Sequence, residues 1–354
     1  MFYHLSLLFT LFNPLFNVFH YVSVRSIMAL LTALGLSLIF GDWFIVKSKR
    51  FFRSKSREYT PAAHRLKDDM PTMGGILILM VTTLTILFWC NLSRPEVWIF
   101  LFGMLGYGVI GFLDDYNKIK FRKGISGSTK FVLQVLVATA AVLLWIWWGN
   151  ALTVISFPFF KNLTPDFGCF FVVWAVFIIV GCSNAVNLTD GLDGLAISSL
   201  IANFAIFSVI CFLAGHFGLS TYLNIPFAGS SEIAVVGSAL IGASLGFLWY
   251  NTYPAQIFMG DVGSLALGAG LALMALMSKQ EILLAISGGL FVVETLSVIT
   301  QVLSFKFFGK RLFKMAPIHH HFELIGWPES KITIRFCIIS LVLCLLALVT
   351  LKIR

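Results

Sequence analysis

The chain has 354 residues, of which 58% are hydrophobic and only 12% are charged, so it is not a water-soluble domain of ordinary composition. We predict an integral membrane protein with one membrane-embedded domain over residues 1–354. The net charge of +9 is not a nucleic-acid footprint, because the lysines and arginines are concentrated in alternate loops, as membrane topology requires.

Ten apolar runs are each long enough to cross about 30 Å of hydrocarbon as a helix. They lie at approximately 24–46, 72–90, 97–113, 130–149, 169–186, 195–215, 232–250, 263–278, 282–305 and 333–352. The sequence therefore predicts an all-α, polytopic membrane protein with about ten transmembrane helices. Residues 1–22 are apolar but are interrupted by Asn13-Pro14 with no basic region before them, so we expect an interfacial segment and no cleaved signal peptide.

Basic residues cluster in the loops after the first, third and ninth predicted spans, whereas the opposite loops carry few. By the positive-inside rule the basic loops are cytoplasmic, which with ten spans places both termini outside. The polar motifs occupy these same loops. A transporter needs its polar groups near mid-membrane and accessible from both sides, so this one-sided arrangement favours an enzyme, with an ion-coupled transporter as the alternative.

The first cytoplasmic loop ends in a lysine, a proline and a glycine pair. Pro71 can begin a helix, and Gly74 and Gly75 allow another backbone or a ligand to approach closely. Lys67 is a candidate substrate contact, and the alternative is an anchor that extends its ammonium to the membrane surface.

Two adjacent carboxylates, Asp114 and Asp115, stand at the end of the third span. Neighbours on a helix point about 100° apart, so one can face a shared site while the other caps, pairs or meets solvent. The pair could instead be the centre of a structural salt bridge with Lys118 and Arg122. Lys130 lies at the start of the fourth span and should share one helix face with Gln134, four positions later.

The stretch from Asn187 to Gly194 contains Asp190 and Asp193, which are three residues apart and would share a face of a helix. A carboxylate at the bilayer centre costs roughly 2.5 kcal/mol or more, so these groups must face water, a cation or a polar ligand. The alternative interpretation is a polar turn between two helices.

Asp261 lies where the eighth span begins, between glycines. It could be a simple N-cap. A helix N-terminus is also an anion site, and a carboxylate beside it can hold a cation that bridges to the anion. Phe258 could be a core residue or a stacking surface for a planar base.

The last cytoplasmic loop carries His319, His320 and His321 in succession. Three consecutive histidines lack the i and i+4 spacing of a helical zinc site. They therefore indicate contact with a phosphate or another part of a substrate rather than a metal cage.

Five motifs, in order along nearly the whole chain, resemble those of the phospho-N-acetylmuramoyl-pentapeptide transferases. This family belongs to the polyprenyl-phosphate N-acetylhexosamine-1-phosphate transferase superfamily. The motifs are PTMGG at 71–75, GFLDDYNK at 111–118, NLTDGLDG at 187–194, NTYPAQIFMGDVGS at 251–264 and MAPIHHHFE at 315–323. HHHFE indicates the muramoyl-pentapeptide branch. Sister enzymes that use UDP-N-acetylglucosamine share the Asp-rich motifs but differ in this loop, and they are the alternative within the superfamily.

The resemblance implies transfer of phospho-N-acetylmuramoyl-pentapeptide from UDP-N-acetylmuramoyl-pentapeptide to undecaprenyl phosphate, which gives lipid I and UMP for peptidoglycan. It implies a Mg²⁺ cofactor, ten membrane helices and a homodimer among membrane lipids. It also implies a bacterial cytoplasmic (inner) membrane location, with the active site facing the cytoplasm. Transfer between two phosphates concentrates negative charge, so a divalent cation and lysines suit this chemistry.

The resemblance also assigns site residues, with Asp261 as the metal ligand. The catalytic set would be Asp114, Asp115, Asp261, Lys130 and His319. The substrate-binding set would be Lys67, Asn187, Asp190, Asp193, Asn251, Phe258, His320 and His321, with the uridine pocket formed by Asn251, Phe258 and Asp193. The chain departs from the family at Asp69-Met70, where Gly-Thr is usual, so the geometry near Lys67 is less determined.

Overall fold

The structure is a computed structural model that describes residues 1–10, 13–51, 70–160 and 163–353. Over these ranges the regular structure is helical, apart from one isolated β-bridge between Val154 and Asp166. A 3₁₀-helix spans Pro14–His20. The α-helices are α1 (Phe2–Phe9), α2 (Val22–Phe51), α3 (Gly75–Trp89), α4 (Pro95–Phe121), α5 (Gly127–Trp148), α6 (Phe170–Thr189), α7 (Leu195–Gly215), α8 (Phe217–Leu223), α9 (Ser231–Asn251), α10 (Gly260–Met277), α11 (Glu281–Ser287), α12 (Gly289–Phe308), α13 (Ile318–Ile325) and α14 (Glu329–Ile353).

Within the described ranges, 9 helices are long and apolar enough to cross a membrane. The prediction of an all-α, polytopic membrane protein is therefore confirmed. The second predicted span corresponds to α3, which has 15 residues. At 1.5 Å per residue it is only roughly 22 Å long, shorter than the hydrocarbon layer.

The ninth predicted span was wrong as a single helix, because it is divided into α11 and α12. The division falls at Gly288, with a second glycine following it. Glycine in a helix interior costs about 1 kcal/mol relative to alanine, which makes this pair the weakest point of the run. An apolar run does not reveal such a break, because hydropathy is the same on both sides of it.

Helix α10 is the centre of the assembly: 89% of its most apolar stretch is buried inside the protein, against 22% for the corresponding stretch of α12. A helix that is hydrophobic on all sides belongs in the interior. Glycines permit the close packing: a Cβ atom on Gly75 of α3 would overlap the backbone of Gly263 in α10. The first turn of α10 carries Asp261, so the packing brings that carboxylate to the middle of one end of the protein.

Consecutive long helices run in opposite directions, so the polar motifs meet at one end of the molecule. Helices α4, α6 and α9 end there, and helices α5, α7 and α10 begin there. The segment predicted to be interfacial forms α1 and the 3₁₀-helix. It packs on the opposite end of α3, where the ring of Phe2 lies 5.1 Å from that of Trp89.

Candidate active site

Three carboxylates from two helices form the centre of the candidate site. Asp114 and Asp115 lie near the end of α4, and Asp261 lies in the first turn of α10. One oxygen from each lies within 4.8 Å of the others, and this is the one such acidic cluster in the described ranges. Asp114 and Asp115 are buried, so their mutual repulsion is little screened by water and requires nearby positive charge.

Two lysines supply that charge. Nζ of Lys118 lies 2.8 Å from Asp114, 3.3 Å from Asp115 and 3.0 Å from Asp261. Nζ of Lys130, in the first turn of α5, lies 3.2 Å from Asp114 and also pairs with Asp261. Lys118 was missing from the predicted site residues and was considered only as a salt-bridge partner. The signal that could have identified Lys118 is its position four residues after Asp114 on the same helix, where the two side chains are neighbours.

The donor set fits a divalent metal ion. Magnesium prefers hard oxygen ligands and takes one or two carboxylates together with substrate phosphates. Asp261 is less buried than the other two carboxylates, with 16% of its side chain exposed against 5% for Asp114. It is therefore the carboxylate of the cluster most open to an incoming ion and its ligands.

Lys130 is held in place through the next turn of its helix. Gln134, four residues later and buried, exchanges amide hydrogen bonds with Asn184 of α6. The Nδ2 group of Asn184 donates to Oε1 of Gln134 over 2.8 Å. This pair links α5 to α6 next to the carboxylate cluster, and sequence reasoning did not identify Asn184.

The 190–194 loop connects α6 to α7 and is tied to the segment that precedes α10. Asp193 is buried, and its Oδ2 accepts a hydrogen bond from Ala255 N at 3.0 Å. Gly194 N donates to Oδ1 of Asn251 at 3.1 Å, and Nδ2 of Asn251 donates to Ile257 O at 2.8 Å. Gly194 has a φ of +76°, which glycine adopts without strain. Asp193 and Asn251 thus join two of the predicted motifs.

Helix α14 supports the same loop from the far end of the sequence. Oε1 of Glu329 accepts a hydrogen bond from Asp193 N at 2.9 Å, and Oγ1 of Thr333 donates to Asp193 O at 3.2 Å. Sequence reasoning missed both residues because they lie outside every motif. The only available signal was a carboxylate at the start of an apolar helix, which usually means an N-terminal cap.

Asp190 follows α6 directly and is half-buried, as is Asn187 one turn earlier. Burial, reinforced by the negative charges of Asp261, Asp115 and Asp193, raises the pKa of Asp190 to about 8. Without a cation nearby, the carboxyl group of Asp190 is therefore mostly protonated at pH 7. Its dependence on Asp261 links the 190–194 loop to the carboxylate cluster.

Phe258 is half-buried, and its backbone pairs with the PTMGG motif. Its N–H donates to Pro71 O at 2.9 Å, and its carbonyl accepts from Gly74 N at 2.8 Å. A Cβ atom on Gly74 would overlap the ring of Phe247, so this pairing depends on glycine there. Lys67, the remaining predicted residue of this region, lies outside the described residues.

The three consecutive histidines point in different directions. His319 is fully buried against the 190–194 loop, with Nδ1 located 3.1 Å from Oε2 of Glu294, a buried residue of α12. Burial lowers the pKa of His319, and Glu294 opposes that shift. His320 pairs with Glu323, 2.9 Å away, and Nδ1 of His321 accepts from Lys314 N at 3.1 Å. His319 is thus the histidine that packs against the Asp-rich loop, and Glu294 is a further residue that sequence reasoning missed.

Comparison with known proteins identifies the family. Residues 97–279 match the profile described as glycosyl transferase family 4. A phospho-N-acetylmuramoyl-pentapeptide-transferase of Nitratidesulfovibrio vulgaris is 51% identical over 98% of this chain and 100% of that protein. Those of Citrifermentans bemidjiense and Solidesulfovibrio magneticus are each 49% identical, over 100% and 96% of both chains. The chain belongs to the phospho-N-acetylmuramoyl-pentapeptide-transferase family.

Membership of the phospho-N-acetylmuramoyl-pentapeptide-transferase family confirms the resemblance that the five motifs carried. The matched profile at 97–279 includes all three carboxylates of the central cluster. His319 and Glu329 lie beyond it, although both contact the 190–194 loop within the profile. The chain is thus a multi-pass membrane protein of the transferase class that the names of its bacterial relatives give.

Proposed function

We propose that the chain transfers phospho-N-acetylmuramoyl-pentapeptide from its UDP-linked donor to undecaprenyl phosphate. The products are lipid I and UMP, in the first membrane step of peptidoglycan synthesis. The observation that carries this proposal is the cluster of Asp114, Asp115 and Asp261 with two lysines, at the end of membrane helices in a member of this family. Such a cluster lies where a lipid from the bilayer and a nucleotide from the aqueous phase can meet.

In the proposed reaction, an oxygen of the acceptor phosphate attacks the phosphorus atom that carries the sugar. The new P–O bond joins the acceptor phosphate to the phosphate that carries the sugar. The P–O bond between that phosphorus atom and the bridging oxygen of the donor pyrophosphate breaks, so UMP leaves with the bridging oxygen. Phosphoryl transfer of this kind depends on positioning and on neutralising charge. Lys118 and Lys130 are the cations available in this cluster, and we assign them to the phosphates of donor and acceptor.

Asp261 is the proposed principal ligand of Mg²⁺, with Asp114 and Asp115 within reach of the same ion. When bound, the metal ion would supply positive charge to the donor pyrophosphate. Asp115 accepts a hydrogen bond from Val262 N at 3.3 Å, which holds its carboxylate against the start of α10. The protein side of the site is thus arranged before any substrate binds.

Asp114 is the proposed partner that orients the acceptor phosphate or removes its proton. A phosphate monoester has a second pKa near 6, so the acceptor is mostly a dianion at pH 7 and needs a base chiefly at lower pH. Asp114 accepts from Ile125 N at 2.7 Å and pairs with both lysines, which fixes the direction of its carboxylate. The competing mechanism passes through a covalent phospho-sugar on an aspartate.

An apolar groove leads along α6 toward the site. It has a volume of about 240 Å³ and lies between α6 and the divided helices α11 and α12. Its walls include Phe177, Leu284 and Phe291, and it reaches Ala185, two residues before Asn187. We propose that the prenyl chain of the acceptor lies in this groove, because its walls are mostly apolar and burying an apolar chain against them is favourable.

The remaining assignments follow the family pattern. Phe258, Asn251 and Asp193 would bind the uridine, and Lys67, Asn187, Asp190, His320 and His321 would contact other parts of the substrates. We propose catalytic contact for His319. The basic loops and the site would face the cytoplasm of a bacterial inner membrane with both termini outside, among membrane lipids and as a homodimer.

Incorporation of labelled sugar into lipid tests the function. Purified protein in detergent is given undecaprenyl phosphate and Mg²⁺ with either UDP-N-acetylmuramoyl-pentapeptide or UDP-N-acetylglucosamine. We expect lipid-linked label and stoichiometric UMP with the muramoyl donor alone. Product from UDP-N-acetylglucosamine alone would instead assign the chain to the sister branch. Cation-coupled solute uptake into liposomes, without lipid-linked product, would support a transporter.

A second experiment separates the direct and covalent mechanisms. The enzyme is incubated with labelled donor and Mg²⁺ but without undecaprenyl phosphate, and then denatured. The direct mechanism predicts no UMP release and no label on the protein. Stoichiometric UMP release with the label retained on the denatured protein would establish the covalent route.

A further inference from the structure

A second cavity lies away from the carboxylate cluster, where α12 ends. It has a volume of about 330 Å³ and is lined by Gln301, Val302, Phe305, Lys306 and Arg311. None of these residues belongs to the five sequence motifs or makes a described contact with the carboxylates. The cavity is therefore separate from the candidate active site.

The cavity carries two positive charges that no carboxylate of the described residues neutralises. Lys306 and Arg311 are both exposed, and across residues 70–160 and 163–353 neither makes an ion pair. Lys310 adds a third exposed cation beside them. Two positive charges that line one cavity repel each other, so an anion in the cavity would be stabilised by both side chains.

Gln301 holds the turn that carries the backbone of Arg311. Oε1 of Gln301 accepts from Leu312 N at 3.0 Å and from Phe313 N at 2.9 Å, and its Nε2 donates to Phe313 O at 3.2 Å. The hydroxyl of Ser304 donates to Lys310 O at 2.9 Å. These bonds fold the chain after α12 back onto the helix. The backbone at Arg311 is thus held beside the cavity that Lys306 also lines before any ligand binds, which reduces the entropy cost of binding.

The surroundings of the cavity are apolar and exposed. Phe305, Phe308 and Leu312 are 59%, 76% and 60% exposed. Exposed aromatic and aliphatic side chains around paired cations are typical of the boundary between hydrocarbon and headgroups. The cavity is therefore placed where a lipid headgroup and the beginning of its acyl chains would both find partners.

We propose that this cavity binds the phosphate of an anionic phospholipid, with Lys306 and Arg311 on the phosphate and Val302 and Phe305 against the acyl chains. An arginine offers paired donors to phosphate oxygens, and a lysine adds a point charge. A free phosphate would use the two cations but not the apolar walls. This site is separate from the proposed transfer reaction, and the proposal does not depend on that function.

Native mass spectrometry of the detergent-solubilised protein tests the site. Lipid adducts are counted with phosphatidylglycerol, and with zwitterionic phosphatidylcholine for comparison. Each basic residue near a membrane surface contributes about 1 kcal/mol, so the Lys306→Gln/Arg311→Gln protein, which lacks two of them, should hold phosphatidylglycerol about 30-fold less tightly. The matched control is Lys120→Gln/Lys123→Gln, which removes the same charge from the exposed end of α4 and the residues after it and should bind like the wild type.

Gln301→Ala provides a second variant that keeps both cations but releases the turn. It should weaken phosphatidylglycerol binding by an intermediate factor. Equal loss in the control protein, or unchanged binding in the double variant, would overturn the proposal. Displacement of phosphatidylglycerol by millimolar inorganic phosphate would also overturn it, since the site would then recognise the free anion. Binding of undecaprenyl phosphate with exclusion of phosphatidylglycerol would do the same, because the cavity would then belong to the acceptor.

Discussion

Gly191 packs directly against the imidazole of His319: a Cβ atom at position 191 would overlap Nε2 and would lie 2.9 Å from Cε1. His319 is fully buried, so its ring has no free space into which to withdraw. This contact joins the NLTDGLDG motif to the histidine motif, which are more than a hundred residues apart in the sequence. It gives Gly191 a packing role in the Asp-rich loop.

Gly191→Ala should therefore displace either His319 or the 190–194 loop. Misplacing a catalytic group by about 1 Å can cost on the order of 100-fold in rate, and we expect a loss of that size in lipid-linked product formation. Gly35→Ala is the matched control, because nothing lies within 4 Å of a Cβ atom there and alanine favours the helix. If Gly191→Ala kept wild-type activity, His319 would not need its present position.

The pKa of Asp190 predicts how stability depends on pH in the metal-free protein. The pKa is raised from 3.8 to about 8 by burial and then by neighbouring carboxylates, so between these values the folded state holds a proton that the unfolded state has lost. The free energy of unfolding should consequently fall as pH rises from 4 to 8. Asp190→Asn removes this contribution, so the melting temperature of the variant in EDTA should decline less between pH 5 and pH 8 than that of the wild type.

Asp166→Asn is the control for this measurement. Asp166 is exposed, and hydrogen bonds from Thr153 and Gly168 lower its pKa, so it is ionised in both states across that range. Its variant should keep the wild-type decline. Parallel curves for the wild type and Asp190→Asn would show that Asp190 does not carry the proton.

The assignment of Asp261 to the metal predicts a loss of ion binding as well as of turnover. Changing even an outer-shell partner of a metal ligand costs about 10–100-fold in affinity, so Asp261→Asn should weaken Mn²⁺ binding at least that much. Electron paramagnetic resonance of Mn²⁺ in the purified protein measures this affinity in the absence of substrate. The folded state should persist, and Asp166→Asn should bind like the wild type. Near-normal activity and metal dependence in Asp261→Asn would remove it from the metal site.

Uridine recognition is tested at Phe258. Stacking a base on an aromatic side chain contributes on the order of 1–3 kcal/mol, so Phe258→Ala should weaken UMP binding about tenfold or more. Phe307→Ala serves as the control, because Phe307 is an exposed aromatic residue of α12 away from the Asp-rich loop. Unchanged UMP affinity in isothermal titration of Phe258→Ala would exclude its ring from the pocket.

Membrane orientation is tested by single cysteines at Lys120 and Thr221 in a background without native cysteines. Both positions are exposed, and they lie at the end of α4 and in α8, on opposite ends of the helix assembly. A membrane-impermeant maleimide should label Thr221→Cys in intact cells and Lys120→Cys only after permeabilisation. Equal labelling of both from outside would contradict the proposed cytoplasmic site.

The candidate site was predictable from the sequence only in part, and individual residues show why. Asp114, Asp115 and Asp261 were identifiable because carboxylates at the ends of apolar runs are costly and need a partner. The rotation of α12 that brings Glu294 to His319, and the docking of α14 that brings Glu329 to Asp193, leave no local pattern. Both depend on how helices far apart in the sequence pack together.

The sequence by itself determined the all-α membrane fold, the approximate spans and the family. Crossing a membrane requires a run of about 20 apolar residues, and that is a local property of the chain. Only the tertiary structure decided that the ninth span divides at Gly288 and that Lys118 meets three carboxylates from two helices. Those outcomes depend on which helix faces touch. The contacting faces are set by how side-chain shapes fit together across the whole assembly, which no local stretch of sequence reveals.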